Sequence, residues 1–178
     1  MATTLSKADA PGTLINKFLD PNIDLSLTGI HPSNGDEIVQ IDATGIVAGE
    51  PRRQATFEQP VDLLRSVPTS GLAVLGLQPH MLRGRPTIDV VLPAAYRYAG
   101  DTVLVSHRAA FDMRFLQLKE AATGVRVEQP VLDRLLMSAV LHTQQKSYAL
   151  ESVVERLGVS VVGRHSALGD ALVTAECF

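Results

Sequence analysis

The chain has 178 residues, 46% of them hydrophobic and 20% charged, enough for one domain with a real core. No run approaches the roughly 18 apolar residues of a membrane-spanning helix, and the opening MATTLSKADAPGT has no apolar segment of the kind that directs secretion. A net charge of −3 argues against coating long nucleic acid, and a single cysteine, Cys177, excludes a disulfide framework or a cysteine-based zinc cluster. A cytoplasmic location is the default expectation.

Residues 1–20 carry no sustained period, and Ala-Pro-Gly at 10–12 and Asp-Pro-Asn at 20–22 are turn signals, so this stretch reads as a poorly ordered lead-in or linker. A single domain is expected over 21–178. Ile23-Asp24-Leu25-Ser26-Leu27-Thr28-Gly29 alternates apolar and polar residues before a glycine. That pattern predicts a strand with Asp24 and Ser26 on one face. A dense turn at 31–36 leads into a β-rich run over 37–47, and residues 53–59 make a third strand, so the chain opens as a three-stranded antiparallel meander.

Leu72–Leu77 reads as a short helix and residues 78–86 as a loop. Ile88, Val91, Leu92 and Ala95 fall at helical spacing within 87–98. Residues 102–106 (Thr-Val-Leu-Val-Ser) form a compact buried strand. Residues 109–122 then form a helix with Phe111, Phe115 and Leu118 inward. A short strand is expected at 125–127, helices at 132–141 and 150–157, the second capped near Ser147, and an extended stretch at 159–162. A last helix over 167–178 reaches the chain end without a glycine stop, which predicts a longer parent protein. The order β-β-β, α-β-α and then helices predicts an α/β fold built on a mixed sheet flanked by helices.

Three groups carry possible chemistry. Asp24 stands on the first strand. Asp112 follows the buried strand in the first turns of a helix, where the helix dipole favours a carboxylate, so a capping acid is one reading of it. His165 precedes Asp170 by five residues at the start of the last helix and reads alternatively as a loop histidine. His107, beside the buried strand, reads as a core histidine. If these groups converge at one sheet edge, three carboxylates and a histidine without cysteines suit Mg²⁺ or Mn²⁺ more than zinc. Two such ions about 4 Å apart clamp the oxygens of a phosphodiester, and a histidine nearby can take a proton from water.

With these residues in place, the sequence resembles the DEDDh 3′→5′ exonucleases, the family of the proofreading epsilon subunit of bacterial DNA polymerase III, from about Ile23 to Phe178. The family's Asp-x-Glu-x-Thr-Gly stands here as Asp24-Leu25-Ser26-Leu27-Thr28-Gly29. Its His-Asn followed by Phe-Asp matches His107-Arg108-Ala109-Ala110-Phe111-Asp112, and its His-x-Ala-x-x-Asp matches His165-Ser166-Ala167-Leu168-Gly169-Asp170. The resemblance implies an RNase H-like fold and removal of nucleotides from a nucleic-acid 3′ end by a two-metal mechanism. It makes Asp24, Asp112 and Asp170 ligands of two Mg²⁺ or Mn²⁺ ions and His165 the general base. Thr28, Gly29, Arg108 and Phe111 would lie against the substrate. So would Leu75, in the Val74-Leu75-Gly76-Leu77 that stands where relatives carry Ile-His-Gly-Ile. A single-stranded 3′ end or a nucleotide is the implied partner, with a polymerase or a fused regulatory domain as possible company. Phe111 and Phe115 also read as core, since aromatics make up only 4% of the chain.

The departures concern charge. Ser26 occupies the family's second acidic position. A unit charge beside a dication at about 4 Å is worth roughly 8 kcal/mol gross at a dielectric of 20, most of it cancelled by hydration. A net remainder of about 2–3 kcal/mol weakens metal binding on the order of 100-fold. Arg108 replaces an asparagine and brings a cation near the metals. Asp42 stands where the family usually has a small residue. Two readings follow: an exonuclease with a weakened metal site, or a non-catalytic module that binds nucleotides or nucleic acid, in which Arg108 pairs with Asp112 or with a phosphate. An RNase H-like scaffold used only for protein contacts is a third.

Overall fold

The computed structural model describes residues 22–27 (the backbone, with the Leu25 side chain), 35–47, 50–66, 72, 73, 75, 77–159 and 173. Within them a five-stranded sheet runs in the order β3-β2-β1-β4-β5. Strands β1 (Asn22–Leu27), β2 (Ile38–Val47) and β3 (Glu50–Pro60) form the expected antiparallel meander. β4 (Leu104–Ser106) lies parallel to β1, and β5 (Val131–Asp133) lies parallel to β4. The sheet is therefore mixed, as the β-β-β-α-β order predicts.

Helix α1 (Pro79–Leu82) is a single turn within the stretch expected as a loop, and its Leu82 is buried. α2 (Ile88–Ala99) buries Val91, Leu92, Ala95 and Ala99, the stripe read from its period. α3 (Ala109–Leu118) is followed by the short α4 (Glu120–Thr123), which ends at Gly124 in the left-handed conformation that favours glycine. α5 (Arg134–Leu141) and α6 (Leu150–Leu157) follow. Ser147 does not cap α6: Ala149 holds that position, and the Ser147 hydroxyl accepts from the Ala149 N–H at 3.2 Å.

The main core lies between one face of the sheet and helices α2 and α3, with Leu25, Ile38, Ile41 and Ala43 against Leu92, Ala95, Phe115 and Leu116. Ile38 reaches that face because the β1–β2 register shifts between Ser26 and Leu27, leaving Val39 as an extra residue in β2. Val39 turns instead to a second cluster with Leu72 and Leu82. Gln40, Asp42 and Thr44 lie between the apolar positions of β2 and are buried as well.

Two expectations are corrected. Residues 125–127 form no strand; Val125 and Val127 pack on the main core, and the sheet is extended by residues 131–133. Leu118 does not point inward but is 58% exposed, since the buried stripe of α3 is Ala109, Asp112, Phe115 and Leu116. At 3.6 residues per turn Leu118 lies about 200° round from Leu116. The extended stretch at 160–162 and the last helix, apart from Val173, lie outside the described residues, as does the lead-in at 1–20.

Candidate active site

The site is built where β4 ends. Val103, Leu104 and Val105 are buried, and the strand stops at Ser106. Arg108 caps the next helix with a φ of 151°, uncommon for a residue other than glycine, and its carbonyl accepts from the Phe111 N–H at 2.8 Å. The chain thus turns directly from strand into α3, and its fourth helical residue, Asp112, points back toward the strand it has just left.

Asp112 is 6% exposed, and the Ser106 hydroxyl donates a hydrogen bond to its Oδ2. Burial pushes the Asp112 carboxyl up to about 7, against the Ser106 hydrogen bond, which lowers it, and with the nearby Asp133, which raises it further. Asp133 ends β5 directly beside Ser106 in the parallel register and caps α5, its Oδ1 accepting from the Leu136 N–H at 3.1 Å. His107 is half-buried, and its Nδ1 is buried without a hydrogen-bond partner. It is therefore not the satisfied core histidine its position suggests. Burial, then the neighbouring Arg134 guanidinium, hold it down at about 4.

Asp24 enters through register. Asn22 pairs with Val105, so position 24 stands two residues further along β1, level with the turn that begins α3. Across the antiparallel pair Asp24 is opposite Asp42, and Ser26 is opposite Gln40. Asp42 is fully buried, and Gln40 Nε2 donates to its Oδ2 at 2.8 Å. The structure thus sets position 24 of β1 level with the turn that leads to Asp112 at the carboxyl end of β4, the side of a sheet where α/β proteins bind ligands.

The remaining expected residues divide in three. Thr28, Gly29, His165 and Asp170 lie outside the described residues. Arg108 is exposed and makes no ion pair with Asp112. Phe111 and Leu75 are packed. Phe111 meets Phe115 edge-on, centroids 5.3 Å apart, and Leu75 joins the cluster of Val39, Leu72 and Leu82. Among the described residues no three His, Cys, Asp or Glu side chains gather closely enough to hold a metal ion. Asp112 by itself is one buried carboxylate held by a hydroxyl, an oxygen donor of the kind a hard cation takes. Sequence reasoning missed Ser106 and Asp133. The signal for Asp133 was an acid three residues ahead of a helical leucine, and for Ser106 a hydroxyl at the last position of a buried strand.

Comparison with known proteins agrees with this geometry. A family model described as Exonuclease matches residues 22–178. A DNA polymerase III subunit epsilon-like protein of Rhodobacter capsulatus is 38% identical over 168 residues, 93% of this chain and 24% of that protein. The PolC-type DNA polymerase III of Clostridium perfringens is 33% identical over 153 residues, 86% of this chain and 10% of that protein. The chain thus spans a quarter or less of the length of these two relatives.

Among solved structures, the nuclease domain of 3′hExo, a DEDDh family member bound to rAMP, has a TM-score of 0.76 at 16% identity, covering 88% of each chain. Exonuclease X in complex with 5′ overhanging duplex DNA has a TM-score of 0.70 at 21% identity, covering 88% of this chain and 87% of that one. These likenesses establish the RNase H-like α/β exonuclease fold. No helix among the described residues is long and apolar enough to cross a membrane. With a family match that begins in β1 and runs to the last residue, the chain belongs to the exonuclease family.

Proposed function

We propose that this chain removes nucleotides from the 3′ end of a nucleic acid with the help of divalent cations, and that Ser26 weakens its hold on them. The observation that carries this reading is Asp112: a buried carboxylate held by Ser106 where β4 gives way to α3, level with position 24 of β1. Its match to the family's second motif supplies the role.

Asp24, Asp112 and Asp170 would hold Mg²⁺ or Mn²⁺. Ions bound there would polarise the phosphate and lower the pKa of a water molecule. The chain's own groups do the rest. Ser106 fixes the rotamer of Asp112, so that one oxygen is engaged by the hydroxyl and the carboxylate is aimed. Arg108, exposed at the start of α3, offers a guanidinium to a phosphate oxygen of the substrate. His165 takes the proton of the attacking water, the role its motif carries.

Release of mononucleotides from 5′-labelled single-stranded DNA and RNA, with Mg²⁺ and with Mn²⁺, tests this. The parent should release nucleotides, more slowly than Ser26→Glu, and Asp112→Asn or Asp170→Ala should stop the release. A parent inactive with both ions beside a strongly active Ser26→Glu would overturn the reading and leave a non-catalytic binding module.

A further inference from the structure

We propose that the loop after β3 and the turn after α1 form a surface for single-stranded nucleic acid, with Leu64 against a base and the guanidiniums of Arg83 and Arg85 on phosphates. The inference rests on the exonuclease reading above and names where the strand behind the terminal nucleotide lies.

The backbone points to it first. Leu63 packs on both the main core and the Val39 cluster, but the next residue, Leu64, is 79% exposed at a φ of 55°. That is the left-handed region, comfortable for glycine or asparagine and costly for leucine. A single exposed leucine is ordinary. One kept in a strained conformation with its side chain outward points to a role outside the fold.

Asp62 does the holding. Its Oδ1 accepts from the Leu64 N–H at 2.9 Å and its Oδ2 from the Gly84 N–H at 2.7 Å, while its own N–H donates to the Pro86 carbonyl at 3.0 Å. One carboxylate thus clasps two segments and brings Gly84, with an arginine on either side, to the Leu64 backbone. Arg65 fastens the loop from the other side, its Nη2 donating to the Gly35 carbonyl at 2.6 Å. Arg85 Nε donates to the Met81 carbonyl at 3.1 Å, which steadies its guanidinium. Arg83 and Arg85 are exposed, and among the described residues neither makes an ion pair. Arg65, Arg83 and Arg85 against the single acid Asp62 make this surface basic on a chain whose net charge is −3. That local charge complements a short stretch of phosphates.

Register places the surface at the site's end of the sheet. Ser26 is opposite Gln40, Gln40 is opposite Pro60, and the Val61 N–H donates to the Val39 carbonyl at 2.8 Å. Residue 61 therefore leaves the sheet just past the level of Ser26, at the end toward which β1 and the parallel β4 both run. From position 24 that is about 10 Å across two strand spacings and about 7–10 Å further along. A strand whose 3′ end lies at that position meets Leu64 about four stacked nucleotides upstream, at 3.4 Å each. Guanidiniums take phosphate oxygens in forked pairs, and an apolar side chain packs on the face of any base. The contact is therefore with a strand, whatever its sequence.

The test is binding of fluorescein-labelled oligo(dT) and oligo(U) of about twelve nucleotides, followed by anisotropy over a range of salt in EDTA, so that the surface is read without metal ions. Leu64→Gly should weaken binding on the order of 10-fold while its unfolding temperature stays level or rises, because glycine suits a φ of 55°. Arg83→Gln with Arg85→Gln should weaken it too, and should flatten the plot of log affinity against log salt by about 0.7 for each arginine. A fall with both oligonucleotides supports a surface blind to the sugar, and a fall with one alone supports a surface for that sugar. Binding by Leu64→Gly equal to the parent's would overturn the role of Leu64, and an unchanged salt slope that of the arginines. A parent that binds neither oligonucleotide would overturn the whole proposal. A parent that binds but releases no nucleotide with either Mg²⁺ or Mn²⁺ would overturn the proposed activity and leave this surface standing.

Discussion

Ser106, the last residue of β4, donates its hydroxyl to Oδ2 of Asp112, the fourth residue of α3. The bond closes the turn between strand and helix and leaves a carboxylate buried at the sheet's edge. It also opposes the desolvation that pushes this carboxyl up to about 7. Its removal separates a structural role for Ser106 from a functional one. Ser106→Ala should lower Mn²⁺ affinity, or nucleotide release at limiting Mn²⁺, by about 10–100-fold, the usual cost of a lost outer partner. Titrating activity against Mn²⁺ checks this: the loss should shrink at saturating ion.

Asp112 also gives stability a pH dependence of its own. Its carboxyl holds a proton up to about pH 7 in the fold but only to about 3.8 when exposed. Between those values the folded state binds more protons, so this group's contribution falls as pH rises and levels off above 7. At 1.36 kcal/mol per pH unit the full cost approaches ~4 kcal/mol. Asp112→Asn should therefore resist urea better than the parent at pH 8, and the two should converge near pH 4.

His107 has the opposite slope. Its folded value of about 4 lies below the ordinary 6.5, because burial and Arg134 disfavour the imidazolium. The unfolded chain takes up the proton first, so the neutral imidazole's contribution is complete above pH 6.5 and is lost as pH falls toward 4. In His107→Gln, urea midpoints measured from pH 7 to 4 should decline less than in the parent.

The core beneath the site should be sensitive to volume. Phe115 is 1% exposed, packed against Phe111 and the sheet. Phe115→Ala should cost about 3–5 kcal/mol, read from the urea midpoint at an unchanged slope.

The ion pair of Lys119 with Glu37 ties the end of α3 to the approach to β2, with both side chains partly exposed. Glu37→Gln should cost no more than about 1 kcal/mol, and the difference should fade in 1 M salt, as screening requires.

Much of the chain was legible one element at a time. The meander, α2 with its stripe of Val91, Leu92 and Ala95, and α6 over Leu150–Leu157 each announce themselves by a period and by turn residues at their ends. The site's second motif was legible too, because Asp112 follows a buried strand and a helix start that are both local. β5 was not. It is three residues long, too short for alternation to register, and it exists because Leu104, Val105 and Ser106 of β4 offer Val131, Leu132 and Asp133 a parallel edge. Leu118 was misread because helical spacing alone does not say which face the sheet will cover.

What the residues settled unaided is what depends on near neighbours: strands from alternation, helices from a 3.6-residue period, and a helix dipole that welcomes Asp112. The tertiary structure decided which distant residues meet. Asp24 and Asp42 are eighteen positions apart, and only the β1–β2 register, fixed by burying Leu25 and Ile41 on one face, sets them opposite each other. A slip of one residue would turn each side chain of the strand to the other face. For that reason nothing in the sequence alone sets Asp42 opposite position 24, and only the fold does.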